Sequence, residues 1–164
     1  MLLLPAETLP EGSGWIYELK LDGYRALGIK TGGTVRLRSR NDKDFNGKYP
    51  AIAQALAALP DETVVDGEVV ALAPGGRSSF SALQNGTACA QIVYYVFDVM
   101  VLRGRDVMGE TLATRRDLLA REVLPGLADP VREAPRLDAS LADLIAAVRA
   151  QGLEGLVAKR LDSV

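Results

Sequence analysis

Charged side chains occupy alternate positions in Glu18-Leu19-Lys20-Leu21-Asp22-Gly23-Tyr24-Arg25. Alternate residues of an extended strand share a face, so Glu18, Lys20 and Asp22 fall on one side and Leu19 and Leu21 on the other. On periodicity alone this is a half-exposed strand with a solvated charged face, ending in an Asp-Gly turn. The chemical reading starts from the lysine. A neutral lysine is a competent nucleophile toward carbonyl and phosphoryl centres. It must first shed a proton, and a neighbouring cation such as Arg25 assists that. Arg25 could equally grip a phosphate through its planar fork of donors.

Four further stretches set polar groups in strand-like surroundings. Ser39-Arg40-Asn41 follows a hairpin strand carrying Arg36 and Arg38. It is either solvated surface or an arginine that reaches a phosphate or a ribose hydroxyl. Val64-Val65-Asp66-Gly67-Glu68-Val69-Val70 reads as two strands around an Asp-Gly turn. It also reads as one strand with Asp66 and Glu68 on the same face and a glycine that lets a ligand approach. In Tyr94-Tyr95-Val96-Phe97-Asp98-Val99 the aromatics suit a core, but a carboxylate in such a run is costly unless paired. Asp98 is therefore a structural anchor or part of a site. Glu154-Gly155-Leu156-Val157-Ala158-Lys159-Arg160 is a helix-to-strand junction with a charged end, or a carboxylate set to hold Mg²⁺ beside a phosphate.

These stretches need a scaffold, and the pattern predicts an α+β or mixed α/β domain with much antiparallel sheet. Trp15–Lys20, Arg25–Lys30 and Thr34–Arg38 are β-prone, with a hairpin signal at Thr31-Gly32-Gly33. Pro50–Leu59 reads as a helix with proline in its first turn. Glu62–Leu72 reads as strand, broken at Asp66-Gly67, and Gln91–Leu102 is an almost unbroken β-branched and aromatic run. Ala73–Ala90 reads mostly as loop. Helices are predicted over Thr114–Val123, with a threonine cap, and over Ser140–Ala150, with Gly152 past its end. Gly155–Lys159 is a final strand.

Bulk properties narrow the chemistry. The chain has 164 residues, 48% of them hydrophobic, enough for a core without disulfides or structural metal. Histidine is absent, which excludes Ser-His-Asp and Cys-His catalysis and the commonest transition-metal ligand. The single cysteine, Cys89, excludes an internal disulfide framework. The start at Met1 is too short and uncharged for a signal peptide, and no apolar run approaches the roughly 20 residues that span a bilayer. A soluble cytoplasmic protein is expected, with no membrane partner. The net charge of −2 is unlike that of a domain that grips DNA alone, so DNA contacts are local or supplied elsewhere.

In this order the five stretches resemble the motif series of the covalent nucleotidyltransferases: DNA ligases, RNA ligases and mRNA-capping enzymes. Glu18-x-Lys20-x-Asp22-Gly23-x-Arg25 is similar to their nucleophile motif, and Ser39-Arg40-Asn41 to the arginine-bearing segment after it. Asp66-Gly67-Glu68, Tyr95–Asp98 and Glu154–Lys159 are similar to the three that follow. Leu9-Pro10-Glu11-Gly12 before Trp15, and Thr114-Arg115-Arg116-Asp117-Leu118-Leu119, resemble bacterial ATP-dependent DNA ligases of the ligase D type, which often join broken ends in company with Ku. Asp42 departs from the pattern, since relatives often carry glycine there.

The resemblance implies an ATP-grasp-like nucleotidyltransferase fold, antiparallel sheets flanked by helices. It implies that Lys20 attacks the α-phosphate of ATP and carries AMP as a phosphoramidate, with Mg²⁺ or Mn²⁺ on Glu154 and Glu68. Glu18 is expected near the adenine edge, Phe97 on the adenine face, Val157 as an apolar wall and Lys159 among the nucleotide contacts. Arg25 and Arg40 are expected on ribose or phosphate, Glu68 on the ribose, and Asp22 as a support for the lysine loop. The expected substrate is nicked or broken double-stranded DNA. An RNA ligase, a capping-type enzyme and a non-catalytic binding module of the same fold are the alternatives. Relatives continue into a strand with two lysines and an OB-fold domain. Residues 1–164 are thus expected to be one incomplete adenylation domain that binds nucleotide weakly and does not seal nicks alone.

Overall fold

The computed structural model describes residues 4–86 and 90–164. Met1 and Cys89, on which two of the sequence expectations rest, lie outside them. The elements run β1 (Trp15–Leu19), β2 (Tyr24–Thr31), β3 (Thr34–Ser39), α1 (Pro50–Leu56), β4 (Thr63–Leu72), α2 (Phe80–Asn85), β5 (Gln91–Leu102), β6 (Arg105–Asp106), α3 (Leu112–Leu118), β7 (Val131–Glu133), β8 (Arg136–Leu137), α4 (Leu141–Gln151) and β9 (Leu156–Arg160). Among the described residues they form two sheets. The smaller has the order β8-β1-β9; the larger has the order β3-β2-β4-β5-β6, with β7 alongside β5. All pairings are antiparallel except β5 with β7. No helix among the described residues is long and apolar enough to cross a membrane.

The valine-rich β4 is central and buried on both faces. One face of the larger sheet carries Ala26, Leu37, Val65, Val69, Tyr94 and Val96 into the main core, with α1 against it through Ile52 and Leu56. Gly28 permits this approach, because a Cβ there would stand 3.0 Å from a Leu56 methyl. The other face carries Arg25, Asp66 and Glu68. In the smaller sheet Glu18 lies opposite Val157 and Ile16 opposite Lys159.

Several expectations change. Asp66-Gly67 is not a turn: β4 runs straight through it, paired with β2 on one side and β5 on the other. Gly67 opens space for the protein rather than a ligand. A Cβ there would lie 2.5 Å from the Tyr95 carbonyl oxygen and 2.6 Å from the Tyr94 ring. That ring is fully buried, and its hydroxyl donates to the Ala26 carbonyl at 2.8 Å. The charged face that begins on β1 is solvated only in part: Lys20 is exposed, but Glu18 is only 5% exposed. The stretch read as loop after β4 contains α2, capped by Ser79 and closed by Gly86 in the left-handed region. The helix expected from Thr114 starts at Leu112; its cap is Thr111, whose hydroxyl accepts from the Thr114 N–H. It continues as a π-helical turn over Leu119–Val123. α1 ends at Leu56, three residues early. α4, capped by Ser140, ends on Gly152 as its sequence suggests. Asp42 takes the left-handed conformation (φ 57°) that glycine adopts freely and aspartate tolerates.

Gly67→Ala must push the Tyr94 ring or the Tyr95 backbone aside. We expect it to destabilise the fold by about 1–3 kcal/mol, the usual range for overpacking, read as a lower urea midpoint.

Candidate active site

The inner faces of the two sheets and α3 enclose a cavity of about 310 Å³. Register explains how β5 contributes to it. Asp66 pairs with Asp98, but the next pair is Gly67 with Val96, so Phe97 is the extra residue of a β-bulge. The bulge breaks strict alternation, and the consecutive residues Phe97 and Asp98 both face the cavity. Val96 and Val99, on either side of them, go to the core.

Two buried arginines of α3 hold the carboxylates of this region. Leu112, Arg115, Arg116 and Leu119 follow the i, i+3, i+4, i+7 spacing of an inward helical stripe, and all four are buried. Arg115 grips both oxygens of Asp98, at 2.8 and 3.1 Å. Arg116 donates to Glu18 at 2.8 Å, to the Phe97 carbonyl at 3.1 Å, to the Ala134 carbonyl at 3.2 Å and to Glu133 at 3.3 Å. The second oxygen of Glu18 accepts from Lys159 at 2.6 Å. Glu18 and Asp98 are thus paired, as buried carboxylates must be. Neither arginine belongs to the five stretches whose residues suggested the site. The available signal was two charges at the inward positions of an amphipathic helix.

Lys20 sits at the more open end of the cavity, just past the end of β1. Its ammonium contacts the Glu154 carboxylate, with the two side chains 42% and 35% exposed. Its backbone N–H donates to the Gly155 carbonyl at 2.9 Å, which ties the lysine to the segment that bears Glu154. The Asp22 carboxylate accepts from the Phe80 N–H at 3.1 Å and so fastens the lysine loop to the start of α2. Gly23 lets that loop cross β4, since a Cβ there would fall 2.2 Å from the Val69 oxygen.

Arg25, Glu68, Phe97 and Val157 complete the cavity lining among the expected site residues. Arg25 donates to Asp66 at 3.0 Å. The Phe97 ring has the Lys159 ammonium 4.4 Å and the Arg25 guanidinium 5.8 Å from its centre. Arg40 does not reach this cavity. It lines an adjoining one of about 460 Å³, with Lys43, Lys48 and the ring of Phe45. Arg25 and Glu68 border both. Burial pushes the Glu68 carboxyl up to about 7, against the opposing pull of Arg25 and with the added push of Asp66.

The site thus sets a lysine at the mouth of a cavity between two sheets, with apolar walls and paired carboxylates behind it. Residues 5–164 match the family model described as ATP dependent DNA ligase domain, and the chain belongs to that family. It is 38% identical over 161 residues to a multifunctional non-homologous end joining protein LigD of Pseudomonas aeruginosa. That match covers 96% of this chain and 19% of the relative. It is 37% identical over 164 residues to a LigD of Mycobacterium tuberculosis, covering 93% and 20%. The solved ligase domain of M. tuberculosis LigD superposes with a TM-score of 0.74 at 38% identity, covering 91% of this chain and 49% of that one. A mycobacterial DNA ligase D complexed with ATP and MES gives 0.72 at 36% identity, with the same coverage. The chain therefore spans about a fifth of these curated relatives and half of the solved ligase domains.

The raised Glu68 group makes stability depend on pH. Its folded value near 7 lies above the ordinary 4.5, so the folded chain holds the proton more tightly. The associated stability is complete below 4.5 and is lost as pH rises through about 7. Glu68→Gln should therefore stabilise the chain by about 1–3 kcal/mol at pH 8 and leave it nearly unchanged at pH 4, as read from urea unfolding at the two pH values.

Proposed function

We propose that this cavity binds ATP and that Lys20 becomes adenylated, as the first step of DNA end sealing by the protein. The observation that carries this is the arrangement along the cavity. Its buried end has the Phe97 ring, Val157, Leu112 and Ala134 as walls, which suits a flat base. Its open end has a lysine and a carboxylate in contact, which suits phosphates. The base lies on Phe97 with its edge toward Glu18, Glu68 faces the ribose, and Arg25 lies between ribose and phosphates. Arg40, in the adjoining cavity, reaches a phosphate group farther out. Lys159 acts on the base end, because its ammonium is paired with Glu18.

The chemistry follows from Lys20. Lys20 contacts Glu154, so the amine must leave that carboxylate and give up a proton to solvent before it can attack. The Nζ–Pα bond then forms in line as the bond from Pα to the bridging oxygen breaks, and pyrophosphate leaves with the electron pair. Glu154 and Glu68 are hard oxygen donors on the cavity wall and fit Mg²⁺, which favours one or two carboxylates plus substrate phosphates. When bound, Mg²⁺ would neutralise charge on the phosphates. In the whole protein AMP passes from Lys20 to the 5′-phosphate of nicked or broken DNA, and a 3′-hydroxyl displaces it. The end-joining role in the names of the LigD relatives supports broken DNA ends as the substrate; the bacterial cytoplasm as the compartment and Ku as the partner that brings the ends belong to the same proposal.

Incubation with ATP and Mg²⁺, followed by intact mass measurement, should show one acid-labile AMP per chain. Lys20→Ala and chelation of the metal should each abolish it. An adduct that persists in Lys20→Ala would remove the lysine from its assigned role.

A further inference from the structure

Arg116 belongs to none of the five stretches that suggested the site and does not line the cavity, yet it touches three of the structures that shape it. One guanidinium nitrogen bridges Glu18 of β1 and the Phe97 carbonyl at the bulge. Another bridges Glu133 and the Ala134 carbonyl at the turn between β7 and β8. The side chain is 6% exposed, as is that of Glu18. Glu18 is fixed from both sides, by Arg116 on one oxygen and by Lys159 on the other.

This arrangement has a chemical consequence at the buried end of the cavity. A carboxylate clamped between two cations offers acceptors only. The 6-amino group of adenine presents a donor, whereas the 6-oxo group of guanine or hypoxanthine presents an acceptor. An acceptor-only group set against C6 attracts the first and repels the second, since the N1–H of a 6-oxopurine lies at the next ring position. Sites that hydrogen-bond a substrate group discriminate strongly against analogues that lack it.

We infer that Arg116 is a positioning residue for base selection: by clamping Glu18 and the Phe97 carbonyl, it makes the site prefer a 6-aminopurine nucleotide to a 6-oxopurine one. The inference rests on the reading that this cavity takes ATP. Arg116 contacts no nucleotide; it acts through Glu18. Its Nε has no hydrogen-bond partner in the buried interior, so its hold depends on the two terminal nitrogens. Lysine offers one nitrogen in place of two and cannot bridge the same four acceptors.

The test compares lysyl-AMP with lysyl-IMP formation by the full chain, across concentrations of ATP and inosine triphosphate. Inosine triphosphate differs from ATP only at C6 and N1, where a 6-oxo group and an N1–H replace the 6-amino group and the bare nitrogen. Wild type should favour ATP. Arg116→Met should reduce that preference by about tenfold or more, chiefly through a higher KM for ATP, with the maximal rate on ATP within about threefold. Arg116→Lys should restore part of the preference. In a Glu18→Gln background Arg116→Met should change the preference no further, because its route through Glu18 is already gone. That background also lacks the buried carboxylate that Arg116→Met would leave half-paired, so the comparison survives if the single variant does not fold. Glu133→Gln, at a partner 41% exposed and outside the cavity, should leave the preference intact.

A folded Arg116→Met chain with the wild-type preference overturns the inference. So does an equal loss of rate on both nucleotides, which marks a purely structural role. Absence of any adduct in wild type strikes instead at the ATP reading on which the inference depends.

Discussion

Arg115 and Arg116 on α3 bind Asp98 and Glu18, and the geometry of the site hangs on those two pairs. Asp98 belongs to the larger sheet and Glu18 to the smaller, so one helix holds a carboxylate from each. Buried ion pairs contribute little net stability against an apolar alternative, but breaking one leaves a stranded charge and costs about 3–5 kcal/mol. Such a pair acts as a constraint more than as a glue. The sheets cannot separate, and α3 cannot slide, without breaking an ion pair that ties the helix to one sheet or the other.

The two sheets bring complementary chemistry to the gap. The smaller one supplies Glu18, Val157 and Lys159 from paired strands, with Lys20 just past the end of one. The larger one supplies Arg25, Asp66 and Glu68 from the face opposite its core. The central strands of the larger sheet are therefore amphipathic in an unusual sense, with one face in the apolar core and the other toward a half-buried cavity that holds charges. Solvent is replaced there by fixed charges, which is the condition under which electrostatic positioning becomes effective. Glu68 shows the cost, as burial, aided by the charge of Asp66, pushes its carboxyl toward neutrality.

Much of this was legible in the residues. The Glu18–Arg25, Asp66–Glu68, Phe97–Asp98 and Glu154–Lys159 stretches converge on one cavity, and the strands that bear them lie close to where the pattern put them. Other features were not legible, for identifiable reasons. Asp-Gly is a common hairpin signal, and only pairing on both sides of β4 shows that Asp66-Gly67 continues a strand. The need for Gly67 comes from Tyr94, 27 residues later, which local propensity cannot see. The burial of Glu18 depends on Arg116, 98 residues away. Arg40 is near its expected place in sequence but borders the neighbouring cavity, because β3 is the edge strand of its sheet.

The mispaired residue at Phe97 bears on the shape of the larger sheet as well as on its side chains. A bulge bends its strand and sharpens the local twist. The hollow that faces the smaller sheet thus owes part of its curvature to backbone, not to the groups that line it. Concavity and reactivity are therefore separable in this chain. A descendant that lost the lysine would still carry this curved, Phe97-lined hollow, because the bulge does not depend on that side chain.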